Sequence, residues 1–280
     1  RRLIVMHNDQ PLGYNDGSPL TSQNLTWVEQ DTSLGVEADL AYSTTLLRAI
    51  QQGKLSGPLV RLYRPEPTVS FGQQDTRMPG YDDAQQRCHQ HGFEPTVRKV
   101  GGRAAAYHRG SLIIDHLQPE PDAMFGFRQR FEYFGELFTE VLGRFGVDAA
   151  VGEIPNEYCA GEYSVHAILS PAHRIKLAGT AQRVVKGAWL FSTSLVVENA
   201  APVRDVLTDV YHALDLPLDP HTVGAIEDAA PGVTVEDVID ELQLVYQRQL
   251  TTKLGGENAL EIVEIPWSNL QQQVPLSGSE

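Results

Sequence analysis

The chain has 280 residues, 41% of them hydrophobic, enough apolar material to bury a sizeable core in one large domain or two small ones. Charged residues make up 21% and Gly and Pro are near ordinary frequency, which points away from a disordered or fibrous class, and the net charge of −14 argues against general nucleic-acid binding. No run of about 18 apolar residues points to a membrane span, and two distant cysteines argue against a disulfide framework and for a reducing, cytoplasmic setting. The N-terminal RRLIVMHNDQ is basic, but its apolar run is too short for the hydrophobic region of a signal peptide.

Residues 1–32 are expected to lead in with little structure before LTWVEQ. From Ser33, SLGVEADLAYSTTLLRAIQQG predicts an amphipathic helix with Leu40, Leu46, Leu47 and Ile50 on one side and Gly53 as its stop. PLVRLY and TVSFG predict two short strands broken by Pro65 and Pro67. Residues 80–92 predict a polar-faced helix closed by Gly92, TVRKV a strand running into GGRAAAYHRG, and SLIIDHL another strand. FGFRQRFEYFGELFTEVLGRFG predicts a long helix with an aromatic apolar face. Residues 151–173 read as loop with a short strand at YSVHAIL, and RIKLAGTAQRVV and AWLFSTSLVVE form a hairpin around Lys186-Gly187. APVRDVLTDVYHALDL and VTVEDVIDELQLVYQRQL predict helices, the second capped by Thr234, and ALEIVEIPW a closing strand before a polar end. The pattern is that of an α+β domain, mixed β-sheets with helices on one face.

Cys159 stands in NEYCAGEYSV, a stretch with no helical or strand period. A free cysteine most often packs as a small hydrophobe, but Ala160 and Gly161 leave this sulfur accessible. A thiol with a pKa of about 8.5 needs a nearby cation to act as a nucleophile near neutral pH. Lys176 lies on the strand RIKLAGTAQR, where alternation sets it on one face with Ala178 and away from Ile175 and Leu177. Its plainest reading is a solvated strand lysine, although Gly179 beside it permits close approach of a ligand. In VRKVGGRAAAYHRGSL, Gly101 and Gly102 make either a β-turn or a site of close approach, and His108 follows them. The stretch has neither a phosphate-loop GK[ST] nor a full GxGxxG. Cys88, His89 and His91 have metal-like composition, but their spacing on a helix does not converge on one ion.

Taken in order, GVEADLAYSTTLLRA, PEPTVSFGQQDTRMP, VRKVGGRAAAYHRGSL and RIKLAGTAQR resemble motifs of the lipoate–protein ligase and octanoyltransferase family, whose catalytic domain is shared with biotin–protein ligases. The resemblance implies a biotin/lipoate protein ligase-like catalytic domain over residues 33–250, with 1–32 a lead-in and 251–280 a tail. Arg103 stands where the ATP-dependent ligases carry a third glycine, and Val100 where the family usually has a small polar residue. YCAGEY and PGVTVEDVIDEL are similar to the cysteine-using branch that moves octanoyl groups between lipoyl-domain proteins.

The function so implied is transfer of an octanoyl or lipoyl group to a lysine of a lipoyl-domain protein through a thioester on Cys159. Lys176 would lie near the acyl carbonyl, favouring the thiolate, stabilising the oxyanion, or both. Gly72, Gly101, Gly102, Arg103, His108, Leu112, Gly179 and Thr180 would form the acyl site, with Leu112 in its apolar wall. No cofactor or metal is implied. ATP and magnesium enter only under the alternative of an ATP-dependent ligase acting through an acyl-adenylate, and a third reading is a non-catalytic relative that binds lipoyl domains. The implied partners are the glycine cleavage H protein and 2-oxoacid dehydrogenase E2 subunits, with acyl carrier protein as a further donor, and no nucleic acid or membrane.

One feature of charge belongs to this sequence itself. The windows 95–114 and 163–197 contain no Asp or Glu, but hold Arg98, Lys99, Arg103, Arg109, Arg174, Lys176, Arg183 and Lys186. These positions predict a basic patch that attracts an acidic acceptor domain to an otherwise anionic protein.

Overall fold

The computed structural model describes residues 24–99, 101–253 and 261–276. Readings placed on residues 1–23, Val100, 254–260 and 277–280 lie outside the described residues. The first half runs β1 (Asn24–Gln30), α1 (Val36–Gln51), β2 (Leu59–Tyr63), β3 (Thr68–Phe71), α2 (Tyr81–Gln90), β4 (Glu94–Val97), β5 (Ala105–Tyr107), β6 (Ser111–Pro119) and α3 (Phe127–Arg144). The second half runs β7 (Ala149–Val151), β8 (Val165–Ser170), β9 (His173–Val185), β10 (Ala188–Val196), α4 (Ala200–Ala213), α5 (Ile226–Ala229), α6 (Val235–Lys253), β11 (Glu261–Glu264) and α7 (Trp267–Gln273).

Eight strands form one mixed sheet in the order β11-β1-β2-β6-β10-β9-β8-β7, and β4-β3-β5 form a second, smaller one. The β9–β10 hairpin turns at Lys186-Gly187, with Val185 opposite Ala188 and Gly187 at φ +85°. Period-two alternation divides the large sheet. On β6 and β10, Leu112, Ile114, Trp189 and Phe191 join the core under α3 and α6. The alternate residues Leu117 and Leu190 pack with Tyr42, Leu46 and Leu47 of α1 and with Trp267 and Leu270 of α7. Helices therefore cover both faces, where the sequence pattern suggested one. α2 and α4 back the small sheet in a separate cluster that includes Cys88, Val206 and Tyr211.

Four elements went unread in the sequence, the single turn of α5 among them. β5 lies inside the glycine motif and β7 in the stretch taken for loop. α7 occupies the polar end, where Trp267 and Leu270, three apart, give a mainly polar segment one buried stripe.

His116 on β6 is buried between the rings of Trp189 and Tyr246, with Nδ1 3.0 Å from the Tyr246 hydroxyl. Burial pushes its imidazole down to about 4, whereas an unfolded histidine titrates near about 6.5. Between those values the unfolded chain binds more protons than the folded one, so stability falls as the pH drops, by roughly 3 kcal/mol from this residue alone. Urea unfolding at a series of pH values should show His116→Phe less stable than the parent at pH 7 and less steeply weakened between about pH 6.5 and 4. An unchanged acid slope would remove His116 from the account.

Candidate active site

A cavity of about 830 Å³ opens between α1, the small sheet, β9–β10 and the loop 158–164, within the usual range for small-molecule sites. Cys159 lies on its wall in a left-handed backbone conformation, φ +42°, which an L-residue adopts only when its surroundings hold it there. Both backbone polar groups of Cys159 are held. Its N–H donates to the Tyr211 hydroxyl at 2.6 Å, and its carbonyl accepts from Lys176 Nζ at 2.9 Å. The thiol is half-buried and meets Arg98 Nη2 at 3.1 Å.

Arg98 is fixed from all sides. It also donates to the carbonyls of Gly101, Ser70 and Arg103. Burial works against its charge, but Tyr107 and the Cys159 thiol outweigh that and hold its proton above the ordinary arginine range. The guanidinium is thus the cation in contact with the sulfur. Gly102 makes this contact possible: at φ +103°, a Cβ would stand 2.8 Å from Sγ and 2.6 Å from Arg98 Nη2. Gly72 serves one step further out, since a Cβ there would come within 1.8 Å of the Gly102 carbonyl oxygen.

Lys176 is buried, and each of its three ammonium protons has a claimant: the carbonyls of Tyr158 and Cys159, both at 2.9 Å, and Glu157 Oε2 at 3.4 Å. The last is an ion pair whose angles are too poor for a hydrogen bond. Burial pushes the ammonium below its usual range, and Glu157 opposes that. Glu157 Oε1 in turn accepts from Ser164 Oγ at 2.8 Å and Gly161 N–H at 3.3 Å, so one carboxylate braces both ends of the cysteine loop.

The other expected site residues divide. Gly101, Gly179 and Thr180 line the cavity. Leu112 does not: it points into the core under α3, and Ile113 beside it faces the cavity because neighbours on a strand point to opposite faces. Arg103 is turned away, its guanidinium 3.0 Å from the buried Asp75 carboxylate. His108 lies in the β5–β6 turn, buried, with Nδ1 accepting from Gly110 N–H at 3.0 Å; Tyr107 before it faces the cavity. Ala178 packs in the core with Ile175 and Leu177, since a bulge opposite Val165 and His166 breaks the alternation that paired it with Lys176. Cys88 is buried, with its thiol pushed up to about 12 by burial. Arg98, Glu157 and Tyr211 were not singled out from sequence for the roles they take here.

The lipoyl protein ligase A/B catalytic domain matches residues 36–247 of the chain. The chain belongs to this family. Among its relatives in the family are the octanoyl-[GcvH]:protein N-octanoyltransferases of Geobacillus kaustophilus, 31% identical over 238 residues with 81% of each chain covered, and of Exiguobacterium sibiricum, 28% identical over 244 residues with 85% and 83% covered. A lipoate–protein ligase A bound with ATP superimposes with a TM-score of 0.64 at 20% identity, over 90% of this chain and 92% of the other. The bipartite lipoate protein ligase of Thermoplasma acidophilum, solved in a study that includes its E2 lipoyl domain, gives 0.63 at 17% identity, over 91% of each. These two structures share the family's fold. β1 and β11, which flank the matched span, belong to the eight-stranded sheet. Among the described residues no helix is long and apolar enough to cross a membrane.

Proposed function

We propose that this member of the family transfers an octanoyl group to a lysine of a lipoyl-domain protein, with Cys159 as the nucleophile. The observation that carries the reading is the cysteine itself: a half-buried thiol on a cavity wall, its backbone held at both ends, with a guanidinium 3.1 Å from the sulfur. Relatives named octanoyl-[GcvH]:protein N-octanoyltransferase support the acyl group and the protein acceptor.

The thiolate attacks the carbonyl of an octanoyl-lysine donor, the C–N bond breaks, and the lysine amine leaves with a proton, so the acyl group becomes a thioester on Cys159. The acceptor lysine, as a free amine, then attacks that thioester. A new amide forms, the amine loses its proton, and the thiolate returns. An amide is broken and an amide is made, so no ATP is needed to activate the acyl group. Incubating the protein with an octanoylated H protein and an unmodified lipoyl domain, with and without ATP, tests this. Intact mass should show octanoyl-Cys159 and octanoylated acceptor equally in both arms; an absolute ATP requirement with unmodified Cys159 would overturn it.

The partner must approach the cavity mouth, and charge there differs from the sequence expectation. Lys176 is buried and Arg98 half-buried in the site, while Arg103 and Arg109 pair with Asp75 and Glu66. Apart from Arg98, which is held by carbonyls and the Cys159 sulfur, the cavity-lining cations without an ion pair among the described residues are Arg48, Lys99 and Arg183. We infer that these three face an acidic acceptor. The apparent association rate with a lipoyl domain should fall steeply as salt rises, and Lys99→Glu should weaken transfer to the protein acceptor more than to a small amine. Equal losses for both acceptors would place Lys99 in the pocket's own chemistry, and no salt dependence would remove the rim from the account.

A further inference from the structure

Tyr211 lies in the last turn of α4, on the far side of the small sheet from the cavity. It is buried, yet its hydroxyl meets two loops at once. The oxygen accepts the Cys159 N–H at 2.6 Å, and its proton goes to the Ala104 carbonyl at 2.9 Å. Ala104 closes the glycine loop that holds Arg98 through the carbonyls of Gly101 and Arg103. Cys159 closes the other loop, in the left-handed backbone conformation that its side chain disfavours. The two loops meet at the sulfur, where Arg98 Nη2 touches Sγ at 3.1 Å and Gly102 leaves no room for a side chain. Packing alone would be served as well by phenylalanine, so the hydroxyl is what demands explanation.

We propose that Tyr211 is a positioning residue that clasps the cysteine loop to the glycine loop and so sets the distance between the Cys159 sulfur and Arg98. The inference rests on the reading of Cys159 as nucleophile and adds a residue outside the cavity to that chemistry. Lys176 holds the Cys159 carbonyl and Tyr211 its N–H, so the residue is fixed from both sides of Cα. With the phenol gone, the strained backbone at Cys159 is held from one side only. It relaxes, the sulfur drifts from the guanidinium, and the thiolate loses its counter-charge.

The test is iodoacetamide alkylation of the full chain from pH 6 to 10, read by intact mass, in the parent, Tyr211→Phe and Val206→Ala. Val206→Ala opens a hole in the same helix's packing without touching the clasp. In Tyr211→Phe the alkylation profile should move to higher pH, with a Cys159 rate near neutral pH about tenfold lower and Cys88 still protected. In octanoyl transfer, kcat should fall about tenfold with KM nearly unchanged. Val206→Ala should lower the melting temperature and leave the profile in place. An unmoved profile in Tyr211→Phe, or an equal shift in Val206→Ala, overturns the proposal. Because alkylation needs no acyl donor, its outcome is separate from that of the transfer reading, which fails instead if the parent never forms octanoyl-Cys159.

Discussion

Octanoyl transfer is expected to fall below detection in both Cys159→Ala and Cys159→Ser, while the thermal midpoint stays within about 2 °C of the parent. Stability survives because the contacts that hold residue 159 are made by its backbone, through Tyr211 and Lys176, and neither substitution removes them. The side chain contributes one polar contact, to Arg98. Activity is lost for a chemical reason: a serine hydroxyl is essentially unionised near neutral pH, and among the described residues the polar contact of this side chain is Arg98, a cation that cannot take its proton. At best, serine would trap the acyl group as an ester too stable to pass it on. Cys88→Ala is the control and should transfer at the parental rate, since that thiol is enclosed in the core between α2 and α4 and donates to the Ala84 carbonyl. The decisive measurement is single-turnover transfer from an octanoylated donor. Turnover surviving in Cys159→Ala would rule out the covalent route.

Much of this site could be read from residues whose placement breaks a local rule. Cys159 in a turn, Gly101-Gly102 after a strand, and Lys176 beside Gly179 each sat where packing has little use for them, and all but Gly102 reach the cavity wall. Gly102 instead faces the thiol from outside the lining. What sequence could not give was the direction of side chains that obey the rules. Leu112 and Ile113 are equally apolar and adjacent, and only the pairing of β6 with β2 and β10 decides which one meets the cavity. Arg98 was visible as one charge among eight, but its contact with a sulfur 61 residues away depends on two loops closing on each other. Tyr211 reads as an ordinary aromatic on the apolar face of a helix, and nothing in DVYHAL marks its hydroxyl. The basic patch shows the same limit: windows free of acid in sequence say nothing of Asp75 or Glu66, which reach in from elsewhere and neutralise two of the four candidates in the first window.

On the proposal that the Lys176 charge acts on the acyl oxygen, Lys176→Ala should lower octanoyl transfer by at least about 100-fold. The structure adds a second reason for loss that has to be separated from the first. Removing the ammonium leaves Glu157 buried without its counter-charge and frees the carbonyls of Tyr158 and Cys159, a change that typically costs about 3–5 kcal/mol of stability. The double variant Lys176→Met with Glu157→Gln removes both charges together, so most of that stability should return. Transfer should not return, because the loop would then present the thiol without a fixed carbonyl and without the charge proposed to act on the acyl oxygen. Lys176→Arg should rescue little, since a planar fork cannot place three donors on three converging acceptors. Alkylation separates the two cations. Arg98 is the one in contact with Sγ, so Arg98→Ala should move the pH profile of Cys159 alkylation further than the Lys176 double variant does. Near-parental transfer in the double variant would reduce Lys176 to a structural brace, and a profile governed by Lys176 instead of Arg98 would return thiol activation to the lysine.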